Sequence, residues 1–70
     1  MDEKKKSKFL NVYQNLPLSE RKNTILVLEE NEKGNLKKIP VSWDVAYMEI
    51  DQETKIGERI LNKLFELELI

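Results

Sequence analysis

Neither cysteine nor histidine occurs among these 70 residues, and the two absences constrain the fold more than any motif does. At this length one hydrophobic core seldom supplies more than about 3–5 kcal/mol, and small domains usually add a disulfide or a structural metal. Without thiolate or imidazole, neither staple can be built. Two routes to stability remain: unusually good packing, or burial against a second copy or another protein. The length makes one domain. Its apolar fraction of 40% suffices for a core and is too high for a disordered chain.

No apolar run approaches the ~18 residues of a membrane span. The lysines near the N-terminus are followed by neither an apolar stretch nor a small-residue cleavage site, so no secretory signal is read there. The expected setting is cytoplasmic, with no membrane partner. A charged fraction of 36% without cysteine matches the Lys/Glu-rich composition of heat-adapted, archaeal-type proteins. The net charge of −1 is uneven: +3 over residues 1–22, zero over 23–41 and −4 over 42–70. Such a head and tail attract one another, within the fold or across a dimer. The other reading is a basic arm for an anionic partner. Asp2 and Glu3 interrupt the basic run and no aromatics interleave it, which favours the first.

The clearest element is a helix over residues 42–51. Trp43, Ala46, Tyr47 and Ile50 share one face at i, i+3, i+4 and i+7 spacing. Ser42 is its N-cap, and Asp44 suits the positive end of its dipole. The remaining elements are expected to cover this stripe, with the indole at the centre.

Residues 1–8 read as a flexible polar leader, and 9–70 as a single compact α+β domain. Phe9, Val12, Tyr13 and Leu16 predict a short helix from about Ser7 to Asn15, which Pro17 closes. It is too short to persist undocked. Residues 24–29 are a strand whose continuous Ile25–Leu28 run predicts cover on both faces. A hairpin loop over 31–35, with Gly34 in the left-handed region, leads to a return strand over 36–41. There Ile39 and Val41 share one face, Lys38 and Pro40 the other. Leu36 is out of phase, which suggests a bulge near Lys37. Pro40 cannot donate to a ladder and places this strand at an edge.

After a polar break at 51–53, Thr54 caps a last helix running to about Leu67. Ile56, Ile60, Leu64 and Leu67 line one face, while Leu61, Phe65 and Leu69 widen the arc beyond what one packing face needs. Gly57 in its first turn points to close approach of this helix to the Trp43/Tyr47 stripe. The predicted fold class is therefore α+β: a small single domain, order α-β-β-α-α, with a two-stranded antiparallel hairpin packed on helices. The predicted core adds Val12, Tyr13, Ile25, Val27, Ile39, Val41, Ile56, Ile60 and Leu64 to the stripe.

The chemistry available is narrow. With no histidine or cysteine, the usual general base and thiolate nucleophile are missing, and Ser7, Ser19 and Ser42 have nothing to activate them. Only Gly34 and Gly57 are present, too few for a phosphate loop. Glu49, Asp51 and Glu53 form the one acidic group, better read as a solvated helix end than as a cation site. No enzyme activity, cofactor, metal or small-molecule ligand is expected.

Lys37-Lys38-Ile39-Pro40-Val41-Ser42, followed by two helices, loosely resembles the ribbon-helix-helix family over residues 36–67, about half the chain. That resemblance implies strands from two subunits pairing in the major groove of DNA. Lys38 and Ser42 would face the nucleic acid, with Lys37 beside them. Ile39, Val41 and Trp43 would face the core, and Thr54 and Gly57 would open the second helix. A strand over 24–29 paired within the chain would occupy the same edge. The leading expectation is a small non-catalytic protein-interaction module or subunit, a homodimer or docked on a larger partner. Its expected interface is the apolar C-terminus, Phe65, Leu69 and Ile70. The alternative arrangement is a monomer with Phe65 and Leu69 under the first helix.

Overall fold

Ser42 and Thr54 each act as the sequence signals. In the computed structural model, which describes residues 1–70, the Ser42 hydroxyl accepts the Val45 N–H at 3.2 Å and starts helix α2 (Trp43–Asp51). Thr54 accepts the Gly57 N–H at 2.9 Å and starts helix α3 (Lys55–Glu66). The same hydroxyl donates to the Glu49 carboxylate, so one side chain ties the end of α2 to the start of α3. Ahead of them lie helix α1 (Glu3–Gln14), a single 3-10 turn at Leu18–Glu20, and strands β1 (Thr24–Glu32) and β2 (Asn35–Ser42). The order is α-β-β-α-α, an α+β domain with one antiparallel hairpin.

Helix α1 begins four residues earlier than its apolar spacing predicts. Asp2 accepts the N–H groups of Lys4 and Lys5, which turns most of the expected leader into the first turns of a helix. Lys6 Nζ lies 3.1 Å from Glu53, and the N-terminal amine 4.0 Å from the same carboxylate. The basic head and acidic tail thus meet inside one chain. Exposed pairs of this kind contribute little each.

The buried centre is Phe9 from α1, Leu26, Leu28 and Val41 from the hairpin, Ala46 and Ile50 from α2, and Ile60, Leu61 and Leu64 from α3. No polar side chain is buried with them. Most of the wide apolar arc of α3 is absorbed within the chain, because this helix meets both α1 and α2, while Leu67 and Leu69 at its end stay exposed. Trp43 is only partly buried, and Tyr47 remains 36% exposed, which corrects the expectation that the indole sits at the centre. The reason lies at the other end of α2. A Cβ on Gly57 would stand 2.3 Å from the Glu49 carbonyl oxygen and 3.0 Å from the Ile50 nitrogen. The two helix backbones touch there rather than beside Trp43 and Tyr47, so burial is deepest around Ile50. At the Trp43 end, α1 supplies rings instead. Phe9 lies 6.1 Å from Trp43, and Tyr13 stacks on Tyr47 at 4.5 Å.

The hairpin turns on Lys33 and Gly34 alone, with φ of 52° and 83°. Positive φ at both central residues is what a two-residue type I′ turn demands. The strands therefore run further than predicted, and the register follows from the turn. Leu26 faces Val41 and Leu28 faces Ile39 on the helix side, while Val27 faces Pro40 on the other. Val27 is 47% exposed, so the hairpin is covered on one face only. Leu36 needs no bulge, since it pairs with Asn31 on the outer face. The irregularity falls between Thr24 and Leu26 instead. Of the other predicted core positions, Tyr13, Ile25, Ile39 and Ile56 pack at the margin, and Val12 is partly buried.

Candidate functional site

Of the expected C-terminal interface, Phe65 and Ile70 pack against the core, and Leu69 alone stays well exposed, at 43%. The Phe65 ring lies beneath α1, with Lys5 Nζ 5.3 Å and Lys8 Nζ 5.5 Å from its centroid. The backbone bends back after α3: Glu68 takes φ 56°, and the Leu69 N–H bonds the Leu64 carbonyl at 2.9 Å. This is a Schellman closure, which turns the last residues toward the fold.

The nucleic-acid candidates all lie along β2. Lys37 faces Glu30 across the ladder, Lys38 faces Glu29, and the Ser42 hydroxyl is engaged in capping α2. Strand β1 occupies one edge of β2 within the same chain.

Two groupings that sequence spacing does not reveal appear in the fold. The first surrounds Tyr13. Its hydroxyl donates to the Asp44 carboxylate at 2.7 Å, and the Arg21 guanidinium stacks 4.4 Å over its ring. The hydrogen bond to Asp44 foremost, with burial adding, pushes the phenol above its ordinary value near 10.0. The bond joins α1 to α2. A folded-state value above the unfolded one stabilises the fold below about pH 10, and that contribution is lost as pH rises through the folded value. We expect the fold to weaken in that alkaline window and Tyr13→Phe to flatten the dependence, as read by thermal unfolding against pH. An alkaline slope unchanged in the variant would locate the titration elsewhere.

The second grouping is the bare side of the hairpin. Val27 and Pro40 sit directly opposite one another, flanked by Glu29 opposite Lys38, and then by Leu36, which is 61% exposed. Residues 31–38 are exposed throughout, so the distal half of the hairpin stands clear of the helices. A signal for this face was present in the sequence. Once Lys33-Gly34 is taken as the whole turn, counting back pairs Val27 with Pro40. Proline's missing N–H then faces away from β1, because pairs alternate between bonded and unbonded along an antiparallel ladder.

Glu49, Asp51 and Glu53 do not converge. Glu49 accepts from Thr54 and Glu53 from Lys6, while Asp51 offers Lys6 only its backbone carbonyl. No three acidic side chains come together as a cation site. No helix is long and apolar enough to cross a membrane. Compared with models of protein families, with curated proteins and with solved structures, the chain matches none of them.

Proposed function

We propose that this chain is a small non-catalytic interaction subunit that works by docking on another protein or on a second copy of itself. The observation that carries the reading is the half-covered hairpin. A two-stranded ribbon is marginal in water and needs cover. Here the helices supply it on one face, leaving Val27, Pro40 and Leu36 bare on the other. Leu18 at 76% and Met48 at 52% exposure add to the uncovered apolar surface of a very small domain. Opposed Glu and Lys pairs make the ribbon nearly neutral, which favours a protein surface over a polyanion as what covers it.

The test is the mass of the native particle. Chain recovered gently from its own cells should sediment well above 8.3 kDa, with a stoichiometric second chain, its own or another. It should also pass through heparin at low salt. A particle that stays at 8.3 kDa in extract and when concentrated would overturn the reading, as would salt-sensitive retention on heparin.

A further inference from the structure

The hairpin has two free edges, and they are not equivalent. On β2 the outward-facing backbone belongs to Leu36, Lys38 and Pro40; lysine and a proline without an N–H are the features that blunt a strand edge. β1 carries neither lysine nor proline between Thr24 and Glu32. Its outward-facing groups, by the same alternation, include the N–H and C=O of Val27 and Glu29. Within the chain, Arg59 lies on this edge. Its Nη1 holds Glu30 at 2.8 Å, and Nη2 donates to the Glu29 carbonyl at 3.2 Å. Both bonds are exposed, and the second is one that an incoming backbone N–H can replace.

We infer that the open edge of β1 pairs antiparallel with β1 of a second copy, giving a four-stranded sheet with the two-fold axis at Val27. The inference rests on the interaction reading above and names the partner. What selects a second copy is the fit of β1 to itself. With Val27 opposite the second copy's Val27, Leu28 meets Leu26, Glu29 meets Ile25 and Glu30 meets Thr24. Around the axis valine and leucine face valine and leucine, each strand's acidic end lies across from the other copy's uncharged Thr24–Ile25 end, and no acid faces an acid. The same strand laid parallel and in register would set Glu29, Glu30 and Glu32 against themselves, which is unfavourable. Exposed Val27 gains a neighbour, and Arg59 keeps its ion pair with Glu30. An interface built mainly on one strand edge belongs among the weak associations, below about 1,200 Å².

Hydrogen exchange and sedimentation test this together, over about 10 µM to 1 mM chain, the range suited to weak association. In a single copy the Val27 amide faces solvent, whereas the Leu28 amide is tied to Ile39. Pairing should slow Val27 exchange by roughly tenfold or more as the mass doubles. Val27→Pro deletes that outward N–H without touching a ladder bond of the hairpin. It should leave the circular dichroism unchanged and the chain monomeric. A dimer whose Val27 amide exchanges freely, or one that survives Val27→Pro, would overturn the edge pairing and leave the interaction reading in place. A chain monomeric across the whole range would overturn the second copy as partner, and the native-extract mass then decides the broader reading separately.

Discussion

Gly57→Ala should lower the unfolding free energy by about 3 kcal/mol or more, the upper end of what overpacking a tight contact costs. The added methyl would stand 2.3 Å from the Glu49 carbonyl oxygen and 2.6 Å from its carbon. Those are backbone atoms, so no rotamer change can relieve the clash. Helices α2 and α3 must separate, and the separation opens space beside Ile50, Ile60 and Leu64, all fully buried. Alanine's better helix propensity returns only about 1 kcal/mol. In a domain whose core supplies about 3–5 kcal/mol, the balance leaves much of the population unfolded at room temperature. Urea unfolding followed by circular dichroism measures it, with Glu58→Ala, an exposed neighbour, expected to stay within about 0.5 kcal/mol of the parent. A Gly57→Ala chain as stable as the parent would show that the helices can part freely and that their contact does not organise the fold.

How far the sequence reveals this architecture depends on which signal each element uses. Ser42 and Thr54 are capping residues at helix starts, and both cap as expected, because an N-cap is a local bargain between one side chain and the first turn. The helix ends were less legible. Glu53 and Glu68 occupy the left-handed position after α2 and α3, where glycine is the usual marker. The strand faces of the hairpin required its turn. Ile25 to Leu28 is apolar throughout, so periodicity alone cannot say which residues point inward. The Lys33-Gly34 turn fixes that register, placing Leu26 and Leu28 inside and Val27 out. The bare face that carries the functional proposal therefore lay in the sequence only by way of the turn. At the C-terminus the sequence left two arrangements open, an interface or a monomer with Phe65 and Leu69 under the first helix, and the fold places Phe65 there but leaves Leu69 exposed. Phe65 is covered by lysines of α1, some sixty residues away, through a contact that no local pattern encodes.

Phe9→Ala should cost about 3–5 kcal/mol, the range for emptying a fully buried aromatic site, while Trp43→Ala should cost only about 1–2 kcal/mol. The sequence points the other way, since Trp43 is the larger ring and lies on the clearest helical stripe. Placement decides it. Phe9 is fully buried and is the one buried residue of α1, whereas Trp43 packs at the margin of the core. Removing the phenyl ring therefore takes away the anchor of a helix that is marginal by itself at this length. Residues 3–14 should fray, with a loss of helical circular dichroism that Trp43→Ala does not share. The Tyr13–Asp44 bond and the Lys6–Glu53 pair are exposed or only partly buried and would not hold α1 in place. If Trp43→Ala proved the more damaging of the two, the indole rather than Ile50 and its neighbours would be the centre of packing. The helix crossing at Gly57 would then be a consequence of that packing and not its cause.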